Sequence, residues 1–571
     1  MKTTTISAVL TLSILFAGCG KISSAAPVDP FLAANGIHIR NNHGSGDIVP
    51  LRGVNLGAWL LMEGWQCPMD SSGLPDNYSV IQTLDNRFGE ATEQNLLRTY
   101  QATWIQTGDL YYIQAMGMNV IRLPVWWANF QTLSGAWRTD AFDRVDWVVT
   151  NAWQRGIYTI IDLHGVPGSQ SADQTTGRAN QNQFWTNSNC QAQTTVLWQT
   201  IAAHFAGNPA VAGYDLMNEP MGAPNRSAVW SAYDTLYRAI RVVDPDHIII
   251  MEGTYGSWNW SMLPNPATYG WTNVVYEMHE YQWGSTSNPS GVMAGIDNQV
   301  NDFRNHHSWN VPAYIGEFNA FGTGTATWKY AAQRFNTDDM SWSVWSYKAI
   351  HGAPPDSWGL FDPIGTWPAK PNIQTDSANT ISNTWSAWGT SPAFGLNSML
   401  RAALGSPLAV PDQYSATYGT TLTISSASAV LGNDWDINLG QPGIQLAAGW
   451  MDGPVHGQLT LNSDGSFIYT PSSLFVGTDS FRYSVFDGFA HSANIATASI
   501  QVAPPPLRWL VSNGQLLLSW PLGWSLQAQT NSVGRGLGTN WVTVPDSHLT
   551  NQLALRIWPS NGSVFLSVTL P

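Results

Sequence analysis

Two glutamates, each at the end of a short apolar run, are the residues of this sequence best placed to carry out chemistry. Glu219 ends the run Val211–Glu219, and Glu317 ends the run Pro312–Glu317. Both runs have the apolar character and the Gly or Pro boundaries of buried strands. A carboxylate at the end of such a strand is costly, because a low dielectric disfavours charge. One such end is compatible with a solvated strand terminus, whereas two of them indicate a constructed site.

Eight segments with strand character recur along the chain, and helical patterns such as Gln94–Met116 fill the gaps between them. Strands that alternate with helices predict parallel pairing. Eight such units predict an α/β fold of the closed (β/α)8 TIM-barrel type, in which catalytic groups lie at the carboxyl ends of the strands. The predicted strands are Arg52–Gly57, Asn119–Pro124, Tyr158–His164, Val211–Glu219, His247–Glu252, Val274–Tyr281, Pro312–Glu317 and Ser341–Tyr347.

The unusual polar residues of this region fall at the predicted carboxyl ends of the strands. A barrel would bring these ends into one ring, so that their side chains face one cavity. They comprise an arginine, two histidines, an asparagine, two glutamates, a tyrosine and a tryptophan: Arg122, His164, Asn218, Glu219, His279, Tyr281, Glu317 and Trp345.

Two carboxylates with different neighbours can hold different pKa values, and glycoside hydrolysis requires such a pair. In a retaining enzyme the two groups lie about 5–5.5 Å apart, and the sugar passes through a covalent intermediate. Glu317 would then be the nucleophile, and Arg122 and Tyr281 could hydrogen-bond it and keep it ionised. Glu219 would be the acid/base, which first protonates the leaving oxygen and then activates water.

The remaining candidates would bind the sugar. Asn218 could hold the 2-hydroxyl, a contact that strengthens in the transition state. Trp345 would stack under the ring at the cleavage point, and His164 and His279 would bind hydroxyls or tune the two glutamates. The two histidines could also start a zinc site, but no third ligand follows at a known spacing. We therefore expect no metal and no cofactor.

Each candidate also has a purely structural interpretation. Arg122 could serve only as an ion-pair partner of Glu317, the histidines could be satisfied core residues, and Trp345 could be barrel packing. Five further carboxylates are rivals of the two glutamates, and Glu252 is the first to test because it ends its own strand. The rivals are Asp162, Asp215, Glu252, Glu277 and Glu280.

Several motifs resemble glycoside hydrolase family 5, with the nearest likeness to its exo-β-1,3-glucanase branch. They are Arg52–Trp59, Ile121–Pro124, Asp162–Gln170, Asn218–Pro220, His279–Tyr281, Gly316–Glu317 and Trp345–Lys348. They occur in the right order over most of residues 37–390. The resemblance implies a retaining hydrolase of β-glycosides with Glu219 as acid/base and Glu317 as nucleophile, and it places the six other candidates on the family's site positions.

Two departures from that branch leave the substrate open. Glu280 stands where the branch usually shows a second histidine, and the stretch Lys348–Phe361 differs from the branch. Because the loops of a barrel set substrate choice, β-1,3-glucan, β-1,4-glucan and a glucosylated lipid or small glycoside all stay open, with a β-glucan favoured. The alternative is a non-catalytic glycan-binding or adhesive surface protein on a decayed barrel.

The length and the first nineteen residues indicate an exported protein of two or three domains. The length of 571 residues exceeds one ordinary domain, and the formal charge of −14 argues against nucleic acid or anionic membrane surfaces as partners. Residues 1–19 have the charged start and apolar stretch of a secretory signal, and the small residues before Cys19 resemble a bacterial lipobox. Lipidation of Cys19 and ordinary cleavage near Ala25–Ala26 both stay open. We expect a monomer, secreted or anchored to the cell surface.

Composition also divides the chain. Residues 20–35 are predicted to be a tether and residues 36–403 the barrel domain. Helical patterns then disappear, and residues 408–503 resemble bacterial immunoglobulin- or cadherin-like modules through Val430–Asp434 and Asp464–Phe467, which predicts an antiparallel sandwich. Pro504–Pro506 marks a linker before a small β module at residues 507–571. Export would permit a disulfide between Cys67 and Cys190, and two buried thiols are the alternative.

Overall fold

A closed barrel of eight parallel strands forms the larger part of the protein. The structure, a computed structural model, describes residues 29–253, 260–352, 356–473, 475–529, 538–556 and 565–569. The barrel closes because the eighth strand pairs with both the seventh and the first, which confirms the predicted TIM barrel. The barrel strands are Arg52–Asn55, Val120–Trp126, Tyr158–Gly165, Val211–Asp215, Ile248–Glu252, Val274–Tyr281, Ala313–Asn319 and Ser341–Val344.

Helices follow seven of these strands and cover the outside of the barrel. Between the fifth strand, Ile248–Glu252, and the sixth, the described residues contain only the short 3-10 turns Trp260–Met262 and Pro266–Thr268. Every residue of the eight strands is buried, because one face fills the barrel and the other packs under helices. This explains why the strands appear in the sequence as continuous apolar runs. The longer helices are Asn77–Phe88, Glu90–Trp104, Thr107–Ala115, Asp143–Trp153, Ser188–Phe205, Arg226–Val243, Pro289–Asn305, Thr325–Thr337, Ala378–Trp385 and Ser398–Leu404.

The segment predicted as one helix, Gln94–Met116, is two helices. The first helix, Glu90–Trp104, is followed by Ile105, whose backbone is extended (φ −121°, ψ 124°). A second helix covers Thr107–Ala115. The Asp109 carboxylate accepts a hydrogen bond from the Gln106 backbone N–H (2.6 Å). This bond satisfies a donor at the start of the second helix and separates it from the first.

The end of the predicted tether belongs to the folded domain. Phe31 and Leu32 are buried, Phe31 stacks on the ring of His43, and Ala33–Asn35 pairs with His38–Arg40 as a short hairpin. The tether prediction is therefore wrong for these residues, because their apolar side chains pack against the barrel domain. The predicted signal peptide and lipobox at residues 1–19 lie outside the described residues. Among the residues that are described, no helix is both long and apolar enough to cross a membrane.

The two remaining cysteines are free. Cys67 and Cys190 are both buried and unbonded to each other, which agrees with the alternative of two buried thiols. Cys67 lies next to the Tyr100 hydroxyl (Sγ to O, 3.6 Å). Burial raises the pKa of Cys67 to about 12, so this thiol is unreactive at neutral pH.

Two β modules follow the barrel. The first has a four-stranded and a three-stranded sheet that share one core. Its first and last strands run parallel, so the predicted antiparallel sandwich is wrong for this pair, whose two strands enter and leave the module side by side. The strands of this module are Asp412–Thr417, Leu422–Ile424, Ala447–Asp452, Gly457–Leu461, Phe467–Pro471, Gly477–Phe486 and Ala496–Ala503. Those of the second, in two three-stranded sheets, are Arg508–Ser512, Gln515–Ser519, Ser525–Gln529, Val542–Thr543, Gln552–Arg556 and Phe565–Thr569.

The first β module contacts the barrel at the amino ends of the barrel strands. Arg52, which starts the first barrel strand, donates from Nη1 to the His491 carbonyl (2.6 Å). Arg482 of the module forms an ion pair with Asp47, just ahead of the same strand. The module therefore lies at the opposite end of the barrel from the predicted site.

Candidate active site

Arg122 lies at the centre of a ring of carboxylates inside the barrel. It is fully buried on the second strand, and its guanidinium contacts carboxylates from four other strands. They are Asp162 (3.1 Å), Asp215 (2.7 Å), Glu277 (3.1 Å) and Glu317 (2.9 Å). Burial, reinforced by Glu277, raises the pKa of Asp215 to about 8. Three of the five rival carboxylates are thus partners of Arg122 below the pocket.

Glu317 receives one donor on each carboxylate oxygen. Arg122 Nη1 donates to Oε1 (2.9 Å), and the Tyr281 hydroxyl donates to Oε2 (2.8 Å), which are the two bonds expected from the sequence. The preceding residue, Gly316, leaves room for the side chain of Glu277, because a Cβ at residue 316 would lie 1.4 Å from Glu277 Oε1. The two donors stabilise negative charge on Glu317, as a carboxylate nucleophile requires.

Glu219 lies beyond its strand rather than within it. The fourth barrel strand ends at Asp215, not at Glu219 as predicted, because residues 216–219 turn into the loop that follows. Glu219 has φ +40°, in the left-handed region that residues with a side chain rarely occupy. Such strained backbone persists where the surrounding structure holds it, and it is common at functional sites.

His279 lies between the two candidate glutamates. Its Nδ1 is 3.0 Å from Glu219 Oε1 and 3.6 Å from Glu317 Oε2. Burial lowers the pKa of His279, but the surrounding carboxylates outweigh burial and raise it well above its usual value. For Glu219 burial acts in the opposite direction and raises the pKa. The hydrogen bond and charge of His279 outweigh burial and hold the pKa of Glu219 below its usual value.

The two candidate glutamates share one pocket. One oxygen of Glu219, one oxygen of Glu317 and a ring nitrogen of His279 all lie within 4.8 Å of one another. A separation of about 5–5.5 Å between carboxyl groups is typical of retaining glycosidases, and this approach of the two oxygens is compatible with it. The same three groups are near enough to hold a cation, but both oxygens of Glu317 already accept hydrogen bonds from Arg122 and Tyr281.

The other three candidates contact each other or the ion-pair network of Arg122. His164 Nδ1 is hydrogen-bonded to Asp162 Oδ2 (2.6 Å). The His164 ring stacks on Trp345, with centroids 5.5 Å apart. Asn218 accepts a hydrogen bond from Arg122 Nη2 on its Oδ1 (2.9 Å). The structure therefore brings the eight sequence-predicted residues together, seven at or just beyond the carboxyl ends of the strands and Arg122 deeper in the barrel.

Two amides that were not among the predicted site residues complete the site. Gln170 donates from Nε2 to the carbonyls of His164 (2.8 Å) and Asn218 (2.7 Å). Asn55 accepts from Arg122 on Oδ1 (3.1 Å) and donates to the backbone of the seventh strand (2.8 Å). Both lie inside motifs that carried the family resemblance, which was the only available signal.

A rim of aromatic rings borders the pocket next to Tyr281. The centroids of Tyr281, Trp283, Phe321 and Trp358 lie 5.2–6.4 Å from one another. Trp283 is 58% exposed, so one planar face is available to a ligand. Such faces can stack on sugar rings or on an apolar leaving group.

Comparison with known proteins decides the family. Residues 88–350 match the family described as Cellulase (glycosyl hydrolase family 5), and this stretch holds seven of the eight barrel strands and all eight predicted site residues. The barrel is a glycosyl hydrolase family 5 domain. Residues 405–504 match the bacterial cadherin-like domain, in agreement with the resemblance of the first β module.

Relatives of the family 5 barrel include several fungal enzymes. A β-xylosidase of Phanerodontia chrysosporium is 26% identical over 332 residues, which cover 53% of this chain and 68% of that protein. The glucan 1,3-β-glucosidase I/II of Saccharomyces cerevisiae is 27% identical over 51% of this chain and 69% of its own. A probable glucan 1,3-β-glucosidase A of Neosartorya fischeri is 27% identical over 41% of this chain, and the match spans only 56% of that protein's length.

Solved structures with a similar chain trace include a rutinosidase from Aspergillus niger, at 16% identity and a TM-score of 0.46, with 55% of this chain and 95% of that chain covered. An endogalactoceramidase shows 17% identity and a TM-score of 0.47, with 80% of this chain and 100% of that chain covered. The fold of the family 5 barrel rests on its own strand pairing, described above.

Proposed function

We propose that this protein is a retaining glycoside hydrolase that cleaves β-glucosidic bonds of a β-glucan or β-glucoside by double displacement. The observation that carries the proposal is the approach of Glu219 and Glu317 oxygens to within 4.8 Å in one pocket. A retaining enzyme needs its two carboxyl groups this close, whereas an inverting enzyme needs room for a water molecule between the sugar and its base.

In the first step an oxygen of Glu317 attacks the anomeric carbon while Glu219 gives its proton to the leaving oxygen. The glycosidic bond breaks as a glycosyl ester forms. In the second step the Glu219 carboxylate takes a proton from water, and the water oxygen displaces Glu317 and releases the sugar. Arg122 and Tyr281 stabilise the carboxylate of Glu317 as it leaves, because hydrogen bonds to the charged form favour it.

Three further residues would position the sugar. Asn218, held by Arg122, would bind the 2-hydroxyl, where hydrogen bonds strengthen as the transition state forms. Trp345 would stack under the ring, and His164, stacked on Trp345 in turn, would bind a hydroxyl. Names of the relatives, which include glucan 1,3-β-glucosidases and a β-xylosidase, support a β-linked substrate, and we favour a β-glucan.

The alternative is a glycan-binding surface protein that has lost catalysis. A mere binder needs no pair of converging carboxylates and no strained backbone at Glu219 (φ +40°), because both are costly without a chemical use. Assay of β-1,3-, β-1,4- and mixed-linkage glucans separates the two functions: hydrolysis of any of them contradicts the binder, and binding without hydrolysis contradicts the enzyme.

The proposal places the protein outside the cell as a monomer, either released or held by a lipid on Cys19.

Replacement of Glu219 by Ala tests the acid/base. A leaving group that is a weak base, such as dinitrophenol, departs without a proton, whereas an alkyl alcohol does not. We expect kcat/KM to fall about 10²–10⁴-fold for an alkyl β-glucoside and to change little for dinitrophenyl β-glucoside. Equal losses on both substrates, measured by steady-state kinetics, would remove Glu219 from this role.

The pH dependence of kcat/KM tests the coupling of His279 to Glu219. The free enzyme must carry a protonated Glu219, so kcat/KM falls as pH rises through the pKa of this carboxyl. Because the charge of His279 lowers that pKa, we expect His279→Gln to move the alkaline limb to higher pH. The matched control is His204→Gln, since His204 is an exposed partner of Asp146; a limb that moves equally in both variants, or to lower pH, contradicts the coupling.

A further inference from the structure

Glu252, the rival carboxylate at the end of the fifth barrel strand, has a specific partner. It is 1% exposed, and its Oε2 accepts a hydrogen bond from the backbone N–H of Glu219. Its Oε1 lies 3.7 Å from His279 Nδ1. Glu252 therefore contacts both the backbone of the proposed acid/base and the ring that hydrogen-bonds its side chain.

The hydrogen bond from Glu219 to Glu252 takes the place of a backbone hydrogen bond between the fourth and fifth strands. The pairing between the fourth and fifth strands ends at Asp215 and Ile250, and the Leu216 N–H still reaches the Ile250 carbonyl (3.1 Å). Further along, the chain turns away from the ladder, and the side chain of Glu252 rather than a backbone carbonyl accepts the N–H of residue 219. A buried N–H without an acceptor would be costly, so Glu252 stabilises the unusual path of the chain.

That path determines where the carboxyl of Glu219 points. Residue 219 has φ +40°, and this conformation is unfavourable for a residue with a side chain unless neighbouring groups hold it. The Tyr233 hydroxyl donates to the Glu252 carbonyl (3.1 Å), so the strand end that carries Glu252 is itself held in place. The Tyr233 hydroxyl thus holds the backbone of Glu252, and the Glu252 carboxyl holds the backbone of the acid/base, Glu219.

We propose that Glu252 is a positioning residue that holds the backbone of Glu219 in its left-handed conformation and so aims the acid/base at the leaving oxygen. This inference rests on the proposed function. Burial raises the pKa of Glu252 well above its usual value, and its Oε2 accepts the backbone N–H of Glu219. Glutamine has the same shape and an equivalent acceptor oxygen, whereas leucine has neither.

The test compares Glu252→Gln and Glu252→Leu on two substrates. We expect Glu252→Leu to lower kcat/KM about 100-fold for an alkyl β-glucoside, because a small misplacement of a catalytic group has this effect. It should change kcat/KM less than about 5-fold for dinitrophenyl β-glucoside, whose leaving group needs no proton. Glu252→Gln should retain kcat/KM on both substrates to within about 5-fold.

A merely structural role would give a different pattern. General destabilisation lowers kcat/KM on both substrates alike, and that result, or an equal loss in Glu252→Gln and Glu252→Leu, overturns the proposal. If Glu252→Leu does not fold, Glu252→Ala, whose cavity admits water, is judged by the same ratio between substrates. The matched control is Glu280→Leu, because Glu280 is a buried carboxyl on the next strand that accepts from Gln282 (2.8 Å); its ratio should equal that of the parent protein.

Failure of the proposed function would look different. In that case the unaltered protein hydrolyses neither substrate, and no ratio can be formed. If the unaltered protein hydrolyses both and only the variants behave otherwise than expected, the function stands and the assignment of Glu252 is wrong.

Discussion

Glu317→Gly is expected to lower the turnover of an aryl β-glucoside by about 10⁴–10⁶-fold, which is the scale seen when a nucleophile is removed from an active site. Without the carboxylate, no glycosyl ester forms, and the anomeric carbon has no partner on that face. Arg122 keeps three other carboxylates, Asp162, Asp215 and Glu277, so the fold should survive. The measurement is steady-state release of the aryl alcohol, with thermal melting as the check on folding.

Azide should restore turnover of an activated aryl glucoside in Glu317→Gly. The anion enters the space left by the carboxylate and attacks from the same face, so the product is an α-glycosyl azide. Glu280→Gln is the matched control, because it alters a buried carboxyl that makes no contact with the pocket pair in the described structure and instead accepts from Gln282; azide should not change its rate. Full activity in Glu317→Gly, or a β-glycosyl azide as the product, would contradict the nucleophile assignment.

Arg122→Met is expected to destabilise the barrel by about 3–5 kcal/mol, the usual effect of removing one partner from a buried ion pair. Arg122 is fully buried and contacts four carboxylates at 2.7–3.1 Å. Methionine fills much of the volume but leaves that ring without its cation. The free energy of unfolding in urea measures the loss, and a loss below about 1 kcal/mol would contradict the central role of Arg122.

The same variant should be relatively more stable at low pH. With the cation gone, the buried carboxylates are ionised only at a cost, so their pKa values in the folded state rise above those in the unfolded chain. Their contribution is then greatest below the unfolded-state pKa and is lost as pH rises through the folded-state pKa. We expect the deficit of Arg122→Met to be smaller at pH 5 than at pH 8. Arg238→Met, which removes an exposed partner of Asp234, should melt as the parent does at both values.

Local pattern was enough to predict the barrel, because its strands are predominantly apolar and, in the described residues, a longer helix follows each of them except Ile248–Glu252. The same logic failed where side chains override periodicity. The break between Glu90–Trp104 and Thr107–Ala115 is accompanied by a hydrogen bond from the Gln106 N–H to Asp109, and the apolar pattern runs through it. Phe31 and Leu32 lie in the predicted tether, yet they are buried against the barrel domain.

The candidate site shows the same division. The eight residues could be named from the sequence because parallel strands bring their carboxyl ends to one rim, whatever the details of packing. The bonds that Arg122 and Tyr281 make to Glu317 were expected as well, but those of Asn55 and Gln170 were not, since their partners Arg122 and Asn218 are remote in sequence. The position of Asp162 and Asp215 before the strand ends already favoured a structural role for them, but their partner was not predictable: only the distances show that Asp162, Asp215 and Glu277 contact Arg122.

Local periodicity and the rules of parallel pairing were enough to predict the strand order, the closed barrel and the set of polar side chains near one end of it. Three features required the folded chain. Glu219 lies past the end of its strand at Asp215 and has φ +40°, Glu252 accepts the Glu219 N–H, and oxygens of Glu219 and Glu317 lie within 4.8 Å. These are distances between residues remote in sequence, and side-chain packing across several strands sets them.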